Sequence, residues 1–170
     1  FYQSLKITGR EVFFYPATYK ILNQIDFKPD FICLYNISEG FFDLKILKDW
    51  SQKYNIIYSL QDLWIFTGHC GVPIDCDKLQ TECFSCPDLN LPPKINFDKT
   101  KKNFSFKRKI INLVPINYLA PSKWVHEIAL KCITNSDSSI SLLNNAVESK
   151  FFKQKQNFKK DDGIFRIVTS

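Results

Sequence analysis

Apolar runs that alternate with amphipathic stretches constrain the fold of this chain more than any other feature. The run at residues 31–34 leads into residues 41–53, where apolar side chains recur at helical spacing, and a second run follows at residues 56–60. A strand, a helix and a strand within about thirty residues are typical of a βαβ unit, whose two strands are parallel. The sequence therefore predicts an α/β fold with a Rossmann-like parallel sheet and flanking helices.

The rest of the chain continues this alternation. Pro16 can begin a short amphipathic helix ahead of the first strand. The further predicted elements are a lysine-rich helix at 98–111, a strand at 116–120, a helix at 123–131 and a strand at 140–143. Asp98 and Ser122 are suited to cap these two helices, because their short polar side chains can accept hydrogen bonds from the first backbone N–H groups.

The composition is that of a globular protein with one core, since 45% of the 170 residues are hydrophobic and 24% are charged. No apolar run approaches the roughly 20 residues that span a bilayer. The formal net charge is +6, and the cations cluster at residues 94–109, which include Lys107, and at residues 150–160. We interpret these clusters as a solvated helix face and a linker. The alternative is attraction to anionic membrane lipid or to an anionic acceptor.

Polar side chains follow the first two predicted strands. Asn36 comes after the first strand, and Gln61 and Asp62 come directly after the second. The carboxyl ends of parallel strands meet at one edge of a sheet, where open α/β sheets bind their ligands. Asp62 either orients a substrate hydroxyl or caps the turn that follows it. We therefore expect a binding site at this edge.

The six cysteines divide into two kinds. Cys33 in a strand and Cys132 at a helix end are interpreted as small buried apolar side chains. The other four fall within one polar, proline-interrupted loop at residues 61–93, and they are Cys70, Cys76, Cys83 and Cys86. Four thiolates can complete a tetrahedral zinc shell that would order such a loop. A structural zinc ion is one interpretation, and unligated or redox-paired thiols are the other.

The block at residues 61–87 has the pattern Gln-Asp-x-Trp-x-Phe-Thr-Gly-His-Cys-x₅-Cys-x₆-Cys-x₂-Cys-Pro. This pattern closely resembles one in bacterial glycosyltransferase family 4, whose members carry His-Asp-x-Trp-x-Phe-Thr-Gly-His-Cys and then a similar cysteine spacing ending in Cys-Pro. Further similar segments lie in the family's order at residues 29–36, 120–124 and 142–152. The resemblance covers residues 29–170, and the cysteine block is its most specific part.

The resemblance implies that this chain is the amino-terminal, acceptor-side half of a GT-B fold. Residues 1–143 would form that domain, residues 144–163 an interdomain linker, and residues 164–170 the first strand of a truncated donor domain. The implied reaction, part of polysaccharide biosynthesis, moves a sugar from a nucleotide-sugar to a hydroxyl of a glycan or lipid-linked acceptor with retention of configuration. The missing domain would hold most of the nucleotide-sugar, so we expect the fragment alone to be inactive.

The resemblance also implies which partners and cofactors to expect. Neither a catalytic metal nor nucleic acid is expected, and the α/β pattern without evidence of secretion indicates a cytoplasmic location. Peripheral contact with the inner face of the membrane is a further hypothesis, because clustered Lys and Arg side chains are attracted to anionic lipid.

Gln61, Asp62 and His69 are the catalytic candidates that the resemblance implies. Gln61 stands where the family usually has His, and it can exchange hydrogen bonds with a substrate but cannot carry a proton as imidazole does. His69 is a zinc ligand, a ring buried against Trp64, or a side chain that faces the cleft and contacts a sugar hydroxyl or phosphate.

The substrate-binding candidates are Asn36, Gly68 and Asn145. Gly68 precedes His69 and lets the backbone come close to a ligand, which favours the cleft-facing interpretation of that ring. Asn145 is followed by Ala146 where the family has Gly, so a turn that needs positive φ at Ala146 would be strained.

Two other functions remain open on the sequence. A zinc-binding interaction module, with lysines that contact nucleic acid or acidic partners, would explain the cysteines and the charge but leaves the strand and helix alternation unused. A sugar-nucleotide epimerase would share the two-domain fold.

Overall fold

A parallel sheet is the centre of the fold. The structure is a computed structural model that describes residues 8–11, 14–74 and 76–149. The described residues form four strands in the order β1-β2-β3-β4, and all neighbouring pairs are parallel. These strands are β1 (Phe31–Tyr35), β2 (Asn55–Ser59), β3 (Asn117–Ala120) and β4 (Ser139–Leu142). The predicted α/β fold with a Rossmann-like parallel sheet is confirmed.

Helices connect the strands. Within the described ranges the α-helices are α1 (Ile46–Ser51), α2 (Thr100–Leu113) and α3 (Lys123–Cys132), which follow β1, β2 and β3 in turn. Short 3₁₀ helices add Pro16–Gln24, Ile37–Glu39, Trp64–Phe66 and Asp77–Gln80. Each strand thus reaches its parallel neighbour through a helical crossover, as parallel pairing requires.

The core lies between the inner strands and the helices. Tyr58 of β2 pairs with Tyr118 of β3, both side chains are buried, and their ring centroids are 6.2 Å apart. The helices contribute the buried side chains Leu47, Trp50, Ile110, Ile111, Val125 and Ala129. Burial of these apolar groups is the main favourable term in the stability of the domain.

The edge strands are less covered than the inner ones. Cys33 of β1 is exposed, so the prediction that it is a buried apolar side chain was wrong. On an edge strand the side chains of one face can remain in contact with solvent, which the local sequence does not reveal. Cys132 at the end of α3 is buried, as predicted.

The first crossover helix is shorter than the predicted range of residues 41–53. The buried Asp43 explains where it begins: its Oδ1 accepts from Lys45 N at 3.0 Å, and its own N–H donates to Thr18 Oγ1 at 3.2 Å. Tyr19 Oη also donates to Asp43 Oδ2 at 2.9 Å. These bonds hold the chain in a turn ahead of α1, because aspartate side chains compete with helical backbone hydrogen bonds. Helical spacing of apolar residues alone could not predict this.

Polar side chains accept hydrogen bonds from backbone N–H groups near the starts of the other two helices. Ser122 Oγ accepts from Val125 N at 3.3 Å, so Ser122 caps α3 as predicted. Asp98 Oδ1 accepts from Thr100 N at 2.9 Å and from Thr100 Oγ1 at 2.6 Å. The helix begins at Thr100 and its N-cap residue is Lys99, so the prediction that Asp98 is the cap was wrong by one position.

A buried ion pair joins the first described residues to α2. Lys107 Nζ donates to Glu11 Oε2 and to the Trp64 carbonyl oxygen, both at 2.8 Å, and lies 3.9 Å from the centroid of the Trp64 ring. Trp64 Nε1 donates to the same carboxylate oxygen at 2.9 Å. Burial raises the pKa of Glu11 and lowers the pKa of Lys107, although each charge opposes the shift of the other. The interpretation of Lys107 as part of a solvated helix face was wrong, because its side chain lies in the core.

The proposed interdomain boundary falls largely beyond the described ranges. Residues 143–148 are irregular and exposed, whereas residues 150–163 of the predicted linker and the predicted strand at 164–170 lie outside the described residues. In the part of the chain that the structure describes, none of the helices combines the length and the apolar character needed to cross a bilayer.

Candidate functional site

Two predicted site residues meet at the carboxyl edge of the sheet. Asn145, which follows β4, donates from Nδ2 to Gln61 Oε1 at 3.2 Å, although the two residues are 84 positions apart. Gln61 Nε2 donates in turn to Ser59 Oγ at 3.1 Å. Asn144 Nδ2 donates to the Pro121 carbonyl oxygen at 3.1 Å, which ties the segment after β4 to the end of β3. The edge therefore presents a hydrogen-bonded pair of amides across the ends of three strands.

Asn36 lies at the same edge. It follows Tyr35 of β1, which pairs with Ser59 of β2, so Asn36 is one register position beyond the last paired residue. Its φ of 41° lies in the left-handed region that asparagine tolerates better than most residues, and its side chain is exposed. Asn36 and Gln61 thus stand at the ends of adjacent strands, which is where the sequence predicts them.

The Asp62 side chain contacts the residues of the loop that follows it. Its Oδ1 accepts from Trp64 N at 3.0 Å, two residues further on, which closes the turn that leads into the following 3₁₀ helix. A Cβ placed on Gly71 would lie 3.1 Å from Asp62 Oδ2, so the carboxylate also packs against the cysteine loop. Burial raises the pKa of Asp62. These contacts correspond to the turn-capping alternative, and the acceptor-orienting role stays a prediction.

His69 is buried beside the cysteines. Its Nδ1 lies 3.1 Å from the Pro93 carbonyl oxygen and its Nε2 lies 3.3 Å from Cys86 Sγ. Because a carbonyl oxygen can only accept, Nδ1 carries the proton in the neutral ring, and the lone pair of Nε2 faces the thiol. His69 therefore contacts the cysteine loop. It makes no hydrogen bond to Gln61 or Asn145, which form the amide pair at the sheet edge.

Gly68 brings the loop close to α2. A Cβ at this position would lie 2.6 Å from Thr100 Cβ and 2.9 Å from the Thr100 backbone. No side chain larger than hydrogen fits there unless the helix or the loop moves. The observed close approach of Gly68 is thus to the protein itself, while substrate binding by this residue stays a prediction.

The four loop cysteines line one small cavity. Its volume is about 20 Å³, and its walls include Cys70, Cys76, Cys83 and Cys86 together with His69. Burial raises the pKa of Cys70 to about 12 and also raises the pKa values of Cys83 and Cys86, so these groups are protonated thiols at neutral pH in the metal-free protein. Across residues 8–11, 14–74 and 76–149, no three or more His, Cys, Asp or Glu side chains form a ready-made metal site.

A larger groove lies between the cysteine loop and α3, and sequence reasoning missed it. Its volume is about 680 Å³, and its walls include Val72, Ile74, Leu79, Trp124 and Ile128. Val72, Ile74 and Trp124 are exposed. The signals in the sequence were the apolar residues Val72 and Ile74 on either side of Pro73 in the loop, and Trp124 near the start of α3.

The chain has limited similarity to known proteins. No family model matches it and no solved structure matches it. It is similar to WcaC of Escherichia coli (strain K12), a protein named as a candidate colanic acid biosynthesis glycosyl transferase. The two are 26% identical over 82 residues, which make up 46% of this chain and 20% of that protein. This similarity suggests a glycosyltransferase. The matched part of this chain corresponds to about a fifth of the length of the relative.

Proposed function

We propose that this chain is the acceptor-side domain of a retaining, GT-B type glycosyltransferase of family 4. The observation that carries the proposal is the contact between Gln61 and Asn145 at the carboxyl edge of the parallel sheet. Open α/β sheets bind ligands at this edge, and the similarity to a glycosyl transferase supports a sugar-containing ligand. Residues 144–163 would link this domain to a donor domain that begins with the strand at 164–170.

Gln61 and Asn145 would position the acceptor. Each amide both donates and accepts, so the pair can exchange its mutual hydrogen bond for bonds to the hydroxyl groups of a glycan or lipid-linked acceptor. Asn36 at the end of β1 would extend this polar edge. Such bonds hold the attacking oxygen in a productive geometry, which is the contribution that a positioning group makes to catalysis.

The chemistry proposed for the whole enzyme needs no acid or base from this edge. The acceptor oxygen would bond to the anomeric carbon on the face that the phosphate leaves, as the bond from that carbon to the phosphate breaks. The departing nucleoside diphosphate would take the hydroxyl proton. Glutamine at position 61 is compatible with this route, because its task is to hydrogen-bond and not to carry a proton. The donor domain would hold most of the nucleotide-sugar, and no catalytic metal takes part.

The acceptor and its location form part of the proposal. Polysaccharide biosynthesis on the cytoplasmic side would supply a growing glycan or a lipid-linked precursor. The lysines at residues 94–109 other than the buried Lys107, and those at residues 150–160, would favour peripheral contact with anionic lipid, at about 1 kcal/mol for each cation near the surface.

The test uses the full-length protein that contains this chain. It is incubated with a panel of nucleotide-sugars and with glycan or lipid-linked acceptors, and both nucleoside diphosphate release and product mass are measured. We expect Gln61→Ala and Asn145→Ala each to lower kcat/KM about two- to tenfold, since a hydrogen bond between neutral groups contributes about 0.5–1.5 kcal/mol. Asn23→Ala, which changes an exposed asparagine outside the site, should leave kcat/KM unchanged.

The possible outcomes separate glycosyl transfer from the epimerase alternative. If the protein transfers sugar and both variants lower kcat/KM, the proposal is supported. If the protein transfers sugar and neither variant changes kcat/KM, Gln61 and Asn145 do not bind the acceptor. Interconversion of nucleotide-sugars without transfer would identify an epimerase. The isolated chain of 170 residues should show no turnover.

A further inference from the structure

The loop at residues 61–93 has little regular structure to hold it in place. Its described residues contain two short 3₁₀ helices, Trp64–Phe66 and Asp77–Gln80, and no strand. Loops longer than about 12–15 residues are uncommon in compact domains without a special contact or function. The cysteines are distributed along this loop, and all four lie on the walls of a single cavity.

The turn between Cys83 and Cys86 is already organised. Ser85 has a φ of 45°, and Lys78 Nζ donates to the carbonyl oxygens of Phe84 and Ser85 at 3.0 and 2.8 Å. Cys86 N donates to Asp98 Oδ2 at 2.8 Å, which fixes the end of the turn next to α2. A tight turn of this kind directs two cysteine side chains to the same side, as in the C-x₂-C hairpins of zinc sites.

The cavity has the size of a single small occupant. A volume of about 20 Å³ is more than the about 10–15 Å³ that one water-sized probe occupies. A water molecule would also need about 2–4 polar partners, whereas the walls are mostly thiol and carbon groups. Sulfur-rich walls are suited to a soft or borderline metal ion.

We propose that Cys70, Cys76, Cys83 and Cys86 bind one Zn²⁺ ion in the cavity that they line. A cysteine sulfur turns about a single side-chain torsion, so four sulfurs on one cavity can converge to about 2.3 Å from the ion without a change of backbone fold. Rotation of the cysteine side chains would therefore form the zinc site, although their metal-free positions do not form one. The inference does not depend on the proposed glycosyltransferase activity.

The surroundings provide support for the bound ion. Gly68 lies on the wall of the same cavity as the four cysteines, and its backbone packs against Thr100 at the start of α2. Four thiolates around Zn²⁺ carry a net charge of −2, and the cations that interact electrostatically with Cys83 and Cys86 are Lys107 and Lys78. His69 lies next to the proposed centre, since its Nε2 is 3.3 Å from Cys86 Sγ, but the four cysteines that line the cavity complete a tetrahedral shell without it.

A zinc ion here would clamp the loop against the sheet edge. Gly71, next to Cys70, accepts from Leu63 N at 2.7 Å and donates to the Pro92 carbonyl oxygen at 2.7 Å. These bonds connect the first cysteine to both ends of the loop, one of which carries Gln61. Metal binding would therefore order the segment that continues from β2.

Elemental mass spectrometry on the chain purified without chelators is the first test. We expect one equivalent of zinc, and loss of that zinc in the Cys83→Ser/Cys86→Ser double variant. The matched control is Cys33→Ser, which changes an exposed cysteine outside the loop and should retain one equivalent. Replacement of zinc by Co²⁺ should produce the intense absorption of thiolate-to-cobalt charge transfer.

A second measurement on the unaltered chain applies even if the double variant fails to fold. A thiol reagent should modify four fewer cysteines in the zinc-loaded protein than in protein treated with a chelator. No bound zinc together with equal thiol reactivity in both samples would overturn the proposal. Loss of zinc in His69→Asn, with retention in Cys70→Ser, would overturn the four-thiolate assignment and make His69 the fourth ligand.

Discussion

The buried ion pair between Lys107 and Glu11 offers the sharpest test of how this domain is held together. Replacing Lys107 by Met keeps a long, unbranched side chain in α2 but removes the cation. Glu11 Oε2 would then keep the hydrogen bond from Trp64 Nε1 at 2.9 Å and lose its charged partner at 2.8 Å. The carbonyl oxygen of Trp64 would lose a donor at 2.8 Å as well.

The expected loss of stability is about 3–5 kcal/mol at pH 8, the range for removing one partner of a buried pair. Two observations place this site in that range. Lys107 is fully buried, and its ammonium group lies 3.9 Å from the Trp64 ring centroid, where a desolvated cation–π contact adds up to about 2 kcal/mol. For a domain of this size, about 2–4 °C of melting temperature per kcal/mol gives a decrease of about 6–20 °C.

The loss of folding stability in Lys107→Met should become smaller as the pH falls. Burial already raises the pKa of Glu11 above the ordinary value of 4.5, and Lys107 is the main group that opposes this shift. Without Lys107 the folded-state pKa rises further, so the folded variant binds a proton that the unfolded chain does not. Folded stability therefore increases as the pH falls through that raised pKa toward 4.5, and the deficit of Lys107→Met should shrink.

Urea denaturation of the chain at pH 8 and at pH 5 measures both effects, with Lys109→Met on the exposed face of the same helix as the matched control. The Glu11→Gln/Lys107→Met double variant should recover part of the loss, because no buried charge remains unpaired. A deficit below about 1 kcal/mol, which is typical of exposed pairs, would refute the reasoning, and so would a deficit that is the same at both pH values.

Two further predictions concern local structure. Gly68→Ala should destabilise the chain by about 1–3 kcal/mol, because the added Cβ would lie 2.6 Å from Thr100 Cβ; a midpoint of urea unfolding equal to that of the parent chain would contradict the close approach. Ser122→Ala should cost about 1 kcal/mol through loss of the cap to Val125 N, whereas Ser122→Asp should keep most of the stability, and thermal unfolding monitored by circular dichroism distinguishes the two.

Much of the architecture could be predicted because it depends on local patterns. Apolar runs of four or five residues between helical stretches predicted each of the four described strands to within a residue or two. Ser122 could be recognised as a cap because capping is an interaction over three residues. The range of α1 was overestimated, since its start depends on Asp43 bonds to Thr18 and Tyr19 in an earlier segment.

The candidate site was predictable in part for the same reason. Gln61 and Asn36 could be placed at the sheet edge, because a residue after a parallel strand must emerge there. That Gln61 would contact Asn145 was not predictable, because no local pattern links residues 84 positions apart. The environment of His69 stayed open among three alternatives until its contacts with Pro93 and Cys86 were known.

The fold class, the strand ends next to the candidate site and the loop with the four cysteines could all be predicted from local sequence patterns. Each of these follows from periodicity or from the order of residues along the chain. The pairing of Lys107 with Glu11 in the core, the exposure of Cys33 and the contact of His69 with Cys86 became known from the packing of distant segments. The physical reason is that burial and pairing depend on which distant segments pack together, and an isolated stretch of sequence does not contain that information.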